Sequence, residues 1–113
     1  YQTSDILTAI SKDLGKNELT TIRVDGGMAS SNWTMQMLSD VLNLPVDRPK
    51  NLETTALGAA YLAGMQVGFY PPIEEFAKSW KSENQFNSKM SEADRQKKLS
   101  GWKDAVSRTL TNK

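Results

Sequence analysis

The 113-residue sequence contains no cysteine and no histidine. The absence of cysteine excludes disulfide bonds and thiolate metal sites in this chain. The absence of histidine removes the commonest metal ligand and the commonest general base, so acid–base chemistry here would fall to carboxylates or lysines. A chain without cysteine is compatible with the cytoplasm, which is the location that we expect.

An excess of charge of either sign is also missing. The chain has 14 basic and 13 acidic side chains and a net charge of +1, so no strong field favours nucleic acid or a membrane surface. The longest mostly apolar stretch, residues 55–67, is far shorter than the roughly 20 apolar residues of a membrane-spanning helix. We therefore expect neither nucleic acid nor a membrane as a partner.

The first half of the sequence does show clear helical and extended patterns. Apolar residues at helical spacing predict an amphipathic helix over residues 3–14, and Gly15 follows as a C-terminal stop. A β-branched run predicts a strand over residues 20–25, and cap residues behind it predict a helix that starts near Ser31. Prolines bound a short extended segment at residues 44–48, which indicates an edge strand or a short strand.

Helical patterns dominate the second half of the sequence. Glu53 and the threonines after it suit a helix N-terminus. Small residues recur four apart over residues 56–68, which predicts close packing of that helix on a neighbouring element. Residues 81–90 are polar and irregular, and they are the best candidate for a linker. Ser91 and Asp94 resemble a capping box before a last amphipathic helix.

The predicted order is therefore helix, strand, helix, short strand and three further helices. This pattern indicates an α/β chain that is rich in helix and has few strands. An isolated pair of strands is marginal, because further strands are normally needed for a stable sheet. We therefore expect this chain to be part of a larger domain whose sheet continues elsewhere. The start at Tyr1 rather than Met agrees with that expectation.

The strongest local feature lies between the first predicted strand and the second predicted helix. Residues 25–31, here called the glycine loop, contain Gly26 and Gly27 followed by serines. Glycines at such a turn permit positive φ and let a phosphate or ribose approach the backbone, and the helix N-terminus adds unpaired N–H groups. A tight turn without any ligand would use the same residues. The spacing matches neither a P-loop nor a dinucleotide fingerprint.

These residues resemble the carboxy-terminal region of carbohydrate kinases of the glycerol, xylulose and gluconate kinase type. The match extends over essentially the whole chain and is weakest between residues 81 and 90. The later pair Gly101-Trp102 and the pair Arg48-Pro49 point to the glycerol kinases within this family. The main motifs are Val24-Asp25-Gly26-Gly27-Met28-Ala29-Ser30-Ser31-Asn32 and Glu53-Thr54-Thr55-Ala56-Leu57-Gly58-Ala59-Ala60-Tyr61-Leu62-Ala63-Gly64.

The resemblance implies a fold and an activity for the longer protein. The fold would be part of an actin-like, ribonuclease-H-like ATPase domain. Residues 1–80 would belong to its C-terminal nucleotide-binding domain, and residues 81–113 would be a linker and a terminal amphipathic helix of the same domain. The longer enzyme would use ATP and magnesium to phosphorylate glycerol to glycerol 3-phosphate. We also expect it to be a homo-oligomer.

The resemblance also implies which residues contact the nucleotide. By position in the family motif, these are Gly26, Gly27, Met28 and Ser31. The family has an asparagine-type residue where this sequence has Ser31, so the contact at this position departs from the family pattern. The family's catalytic base and glycerol contacts lie upstream, so we expect no catalytic residue and no metal ligand in this chain. The chain alone should therefore be inactive.

Two other interpretations fit parts of the same pattern. The chain would equally serve a related sugar kinase of the xylulose or gluconate type, because the polyol pocket is not in these residues. A non-catalytic helical interaction module, in which the glycine loop is only a turn, belongs to a different functional class. Nucleotide binding and a panel of polyol and sugar substrates separate the three.

Overall fold

The chain folds into a small three-stranded sheet with helices around it. A computed structural model describes residues 1–15 and 19–110. Within these residues the predicted order of elements is confirmed, with one additional strand. The elements are α1 (Gln2–Leu14), β1 (Ile22–Arg23), α2 (Asn32–Leu42), β2 (Val46–Pro49), α3 (Thr54–Gln66), α4 (Ile73–Phe76), β3 (Ser82–Phe86) and α5 (Glu92–Ser107), with 3₁₀ turns at Gly27–Ser30 and Ala77–Ser79.

The helix ends lie where the cap residues predicted them. Gly15 follows α1 with φ 65° and ψ 15°, the left-handed conformation that ends many helices. Ser31 is the N-cap of α2, and the Ser31 side chain accepts a hydrogen bond from the Thr34 N–H. Ser91 caps α5 in the same way through the Asp94 N–H. The Asp94 carboxylate, however, accepts from the Ser91 hydroxyl rather than from its backbone N–H, so this capping box is modified.

The sheet has the order β1–β2–β3, with β2 in the centre. β1 pairs with β2 in parallel, and Ile22 lies opposite Val46. The predicted first strand is confirmed in place but is shorter than predicted. Only two residues pair as a strand, although the Val24 N–H also donates to the Asp47 carbonyl. β3 pairs antiparallel to β2, with Phe86 opposite Val46.

The prediction of an irregular linker at residues 81–90 is wrong, because this segment contains β3. Four of the five β3 residues are exposed and Phe86 is half-buried, so the strand has no alternating apolar pattern to read. Contacts distant in sequence hold it in place. The fully buried Ser39 hydroxyl lies 3.0 Å from the Phe86 carbonyl, which ties the end of β3 to α2.

The core lies between the sheet and α2. Its centre consists of Ala29, Met35 and Val46, each 4% exposed or less. Alternation along a strand sends neighbouring side chains to opposite faces, so Val46 points into this core while Asp47 points away. The residues that pack around the centre are Ile22, Val24, Leu38, Leu52 and Phe86. The core is therefore small and depends on the glycine loop, which contributes Ala29.

The ends of the chain meet through α1 and α5. The Trp102 ring stacks on Tyr1 with 5.7 Å between ring centroids, and the Trp102 Nε1–H donates to Asp5 at 2.7 Å. Arg95 is the one buried residue of α5. The last helix is thus attached through a polar side chain and an aromatic stack, and the amphipathic stripe predicted for it is only partly buried.

The chain is elongated, and much of its apolar surface is uncovered. Its radius of gyration is 17.8 Å, whereas a compact domain of this length has about 13 Å. The small-residue stripe of α3 does not pack on a sheet or a second helix within the described residues: Ala56 and Ala60 are exposed, and Gly64 faces the ring of Tyr70, which follows the same helix. None of the helices in the described residues is long and apolar enough to cross a membrane.

Candidate functional site

The glycine loop begins at the carboxyl end of β1 with a residue that must be glycine. Gly26 has φ 78° and ψ 173°, a conformation that other residues rarely adopt. Its N–H donates to the Leu52 carbonyl at 2.9 Å, which fixes the loop against the segment after β2. The prediction of positive φ in the loop is confirmed at Gly26. It does not extend to Gly27, whose φ is not positive.

Gly27 lies on the open side of the loop. A Cβ placed on Gly27 would meet no heavy atom within 4 Å, so the protein itself leaves space at this position. Gly27 and Met28 begin the 3₁₀ turn, and the first N–H groups of a helical turn have no partner within the turn. The Met28 side chain is 72% exposed. The loop therefore presents backbone and an apolar side chain to its surroundings.

The rest of the turn is anchored into the core. The Ala29 N–H donates to the Gly26 carbonyl at 3.0 Å, and Ala29 itself is 1% exposed. Ser31 is half-buried, and its Oγ accepts from both the N–H and the hydroxyl of Thr34. Ser31 therefore caps α2, and its own hydroxyl proton is left for another acceptor. The four predicted nucleotide contacts thus share one loop with an exposed front and a buried back.

Arg48, to which the sequence alone assigned no role, contacts the buried side of the glycine loop. Arg48 of β2 is 7% exposed, and its Nη1 donates to the carbonyls of Ala29 and Ser30, each at 3.2 Å. The same nitrogen donates to the Asn32 side chain at 2.8 Å, and Nε donates to Glu83 at 3.0 Å. The arginine had been noted only within its pair with the following proline. The available signal was a charged residue within a segment predicted to be extended.

A second polar contact ties the loop to α3. The Thr54 hydroxyl, in the first turn of α3, donates to the Asp25 carboxylate at the start of the glycine loop. Glu53 precedes this helix as predicted, although its side chain makes no capping hydrogen bond. The glycine loop is therefore held by β2, by α2 and by the N-terminal turn of α3.

The other end of α2 carries a separate polar cluster that attaches the C-terminal segment. Asp40 Oδ1 accepts from the Lys89 N–H at 2.6 Å, from the Met90 N–H at 3.2 Å and from Gln36 at 3.1 Å. Partial burial alone would raise the pKa of Asp40, but these hydrogen bonds outweigh it and hold the pKa below its ordinary value. Arg95 adds a contact to the Asp40 carbonyl.

Elsewhere in the part of the chain that the structure describes, acidic residues do not assemble into a second site. Glu74 and Glu75 lie exposed on α4, and Glu92 pairs with Arg95 within α5. Among residues 1–15 and 19–110, no group of three or more acidic side chains is placed to share a metal ion. The glycine loop, with open space at the exposed Gly27, is thus the candidate ligand site on which the motif and the structure agree.

Comparison with known sequences agrees with the motifs. A model of the C-terminal domain of the FGGY family of carbohydrate kinases matches residues 1–67. The chain is 57% identical over 111 residues to a glycerol kinase of Rhizobium meliloti (strain 1021), covering 97% of this chain and 22% of that protein. It is 53% identical over 108 residues to a glycerol kinase of Alcanivorax borkumensis, covering 96% of this chain and 22% of that protein. The chain therefore spans less than a quarter of these relatives.

Comparison with solved structures agrees with the fold. The crystal structure of Plasmodium falciparum glycerol kinase with ADP matches with a TM-score of 0.76 at 36% identity, covering 99% of this chain and 22% of that one. A xylulose kinase from Lactobacillus acidophilus matches with a TM-score of 0.62 at 21% identity, covering 80% of this chain and 19% of that one. The predicted part of an actin-like ATPase fold is thereby confirmed.

Proposed function

The chain belongs to the C-terminal domain of the FGGY family of carbohydrate kinases, and we propose that it is the nucleotide-binding C-terminal part of an ATP-dependent glycerol kinase. The 57% identity to a glycerol kinase supports this choice over a xylulose or gluconate kinase. Because the chain spans 22% of that relative, the activity is proposed for the longer polypeptide and not for these 113 residues.

The observation that carries the proposal is the glycine loop at the carboxyl end of β1. Gly26, Gly27, Met28 and Ser31 are the proposed nucleotide contacts. Gly27 is exposed and has open space where a Cβ would be, so a ligand can lie directly against the backbone. The related Plasmodium falciparum glycerol kinase was solved with ADP, which supports nucleotide use by the longer enzyme.

The role that we propose for this chain in the reaction is to position the nucleotide. In the proposed reaction the bond between the γ-phosphorus and the β–γ bridging oxygen of ATP breaks, and a new bond forms to a glycerol hydroxyl oxygen. The hydroxyl proton passes to a base, which we place outside this chain together with the glycerol contacts. Phosphoryl transfer depends mainly on alignment and charge stabilisation, and a rigid loop against one side of the nucleotide contributes alignment.

Magnesium and the assembly of the enzyme complete the proposal. Magnesium would stabilise the negative charge of the ATP phosphates, and one or two carboxylates would hold it. We propose that these ligands, like the catalytic base, lie outside this chain. We further propose that residues 1–80 and 81–113 belong to one nucleotide-binding domain, and that the longer enzyme is a cytoplasmic homo-oligomer.

A hybrid enzyme tests the proposed function. In it, this chain replaces the matching 22% of the Rhizobium meliloti glycerol kinase. We expect glycerol- and ATP-dependent release of ADP by the hybrid, and none by the 113-residue chain alone or by the relative without this part. A folded hybrid without turnover would contradict the proposal. Assays of the longer polypeptide with glycerol, xylulose and gluconate then test the choice of substrate, and we expect glycerol to react fastest.

Gly27→Val in the hybrid tests the loop itself. A Cβ at this position meets no atom of this chain within 4 Å, and φ is not positive there, so stability should change by no more than about 0.5 kcal/mol. A nucleotide against the backbone would collide with it, and KM for ATP should rise at least about tenfold, equivalent to about 1.4 kcal/mol.

Gly101→Val is the matched control, because Gly101 lies on α5 and also has open space around its Cβ position. We expect it to leave KM for ATP unchanged. An unchanged KM for ATP in the Gly27 variant would support the interpretation of the glycine loop as a structural turn.

A further inference from the structure

The guanidinium of Arg48 is not among the proposed nucleotide contacts. It lies behind the glycine loop and is almost completely buried. Its hydrogen bonds reach two loop carbonyls, the first residue of α2 and a carboxylate of β3. The Phe86 ring lies beside it, with 5.4 Å between Cζ and the ring centroid. The side chain is therefore held between the loop, the start of α2 and β3.

The two carbonyls that Arg48 contacts belong to the end of the 3₁₀ turn. Ala29 and Ser30 are the last residues of that turn, where carbonyl groups have no partner within the turn. A cation is favourable at this end of a helical turn, and the planar guanidinium offers several donors in a fixed arrangement. Arg48 thus satisfies the back of the loop while its front, at Gly27 and Met28, stays open.

We propose that Arg48 is a positioning residue for nucleotide binding, which holds the glycine loop in its binding shape without touching the nucleotide. This inference rests on the proposed function. A loop that is already ordered in its bound shape loses less conformational entropy when the ligand binds. Without Arg48 the turn would sample other shapes, and affinity for the nucleotide would fall although every contacting residue is still present.

The chain contains a matched control for this proposal in Arg95. Arg95 is also 7% exposed, and it also pairs with a carboxylate, that of Glu92, and contacts a backbone carbonyl, that of Asp40. These partners lie on α5 and at the far end of α2 rather than in the glycine loop. Replacing either arginine by lysine removes a buried guanidinium and keeps the positive charge.

The experiment compares Arg48→Lys and Arg95→Lys in the hybrid enzyme. The ammonium of lysine cannot replace the planar fork, so we expect Arg48→Lys to raise KM for ATP about tenfold to a hundredfold, as expected for lost hydrogen bonds from a charged donor. KM for glycerol should not change. Arg95→Lys should lower the melting temperature about as much as Arg48→Lys does. It should leave KM for ATP unchanged.

Three results would overturn the proposal: an unchanged KM for ATP in Arg48→Lys, an equal rise in both lysine variants, or a rise in KM for glycerol as large as that for ATP. Gly27→Val separates this failure from failure of the proposed function. If Gly27→Val raises KM for ATP and Arg48→Lys does not, only the positioning role is wrong. If neither variant raises it, the loop is not a nucleotide site and both proposals fall.

Glu83→Gln keeps the proposal testable if Arg48→Lys does not fold. Glu83 is half-exposed, accepts from Arg48 Nε, and lies on β3 rather than in the loop. The amide keeps the shape and weakens the bond to the guanidinium. We expect a smaller rise in KM for ATP, about two- to fivefold, with KM for glycerol unchanged. No change in KM for ATP in this folded variant would overturn the proposal.

Discussion

Two regions of the chain bury their side chains very differently. The core region, residues 22–52 and 82–107, packs α2 on the sheet and fully buries Val46. The α3–α4 region, residues 54–80, has Tyr61 as its one buried residue. In that region Val67 and Phe69 are 79% and 76% exposed. The glycine loop belongs to the first region, and the small-residue helix belongs to the second.

The difference indicates which parts of the site are complete within this chain. The core region supplies its own packing partners, so the shape of the glycine loop is determined by residues present here. Large apolar side chains are exposed in the α3–α4 region. A large exposed apolar patch usually marks a contact surface. The chain covers 22% of a related glycerol kinase, and packing of α3 against the remainder of such an enzyme would explain the exposure.

Replacing one valine by aspartate in each region should give the largest difference in stability between the core region and the α3–α4 region. Val46→Asp buries an unpaired charge in the core, and we expect a loss of about 4 kcal/mol or more in the free energy of unfolding. Val67→Asp changes an exposed valine and should shift it by less than about 0.5 kcal/mol. Urea denaturation of the chain measures both. Similar losses in the two variants would show that the regions do not differ as described.

Two glycines of α3, Gly64 and Gly58, test the contact between α3 and Tyr70 in the α3–α4 region. A Cβ at Gly64 would lie 2.4 Å from the Tyr70 ring, so Gly64→Ala should lower the free energy of unfolding by about 1–3 kcal/mol. Gly58→Ala meets no atom within 4 Å and should raise it by about 0.5–1 kcal/mol, because alanine favours the helix. A gain in both variants would mean that Tyr70 does not pack on α3.

The smallest expected effect concerns the attachment of α5 to the core region. Asp40→Asn keeps an acceptor but removes the charge from three hydrogen bonds, so we expect a loss of about 1 kcal/mol at neutral pH. Asp104→Asn, at the exposed partner of Arg108, should change the free energy of unfolding by less than about 0.5 kcal/mol. Urea denaturation at several pH values measures both variants.

The pH dependence of Asp40→Asn has a definite sign. Because the pKa of Asp40 is lower in the folded chain, its carboxylate stabilises the fold above the ordinary carboxyl pKa of about 4. That contribution is lost as the pH falls through the folded value. The difference between the original chain and Asp40→Asn should therefore be largest near neutral pH and shrink below about pH 4. A difference that grows in acid would contradict this account.

Local signals predicted the helices and their ends well. Gly15 ends α1 in the left-handed conformation, and Ser31 caps α2, because both effects act over a few neighbouring residues. The proposed site residues come from the motif, and the structure places Gly26, Gly27 and Met28 in one loop. The motif did not show that positive φ is needed at Gly26 alone of the glycine pair.

Contacts between distant residues were beyond the reach of the pattern. β3 has exposed polar residues and no alternation, and it becomes a strand because β2 offers it an unpaired edge. Trp33 is 72% exposed and does not contribute to the core of this chain, although tryptophan is a large apolar residue. The formation of β3 and the exposure of Trp33 both depend on which surfaces of the fold come into contact. The hydrophobicity or polarity of a segment does not specify those contacts.

The sequence by itself determined the order of the helices and of β1 and β2, the caps, the family and the position of the glycine loop, since each depends on residues close together along the chain. Only the tertiary structure decided that Arg48 lies behind the loop and that Glu83 holds it there. These residues are 18 or more positions from Ser30 or from each other, and they meet because β2 runs between β1 and β3. A buried cation needs partners on every side, and only the assembled sheet supplies them.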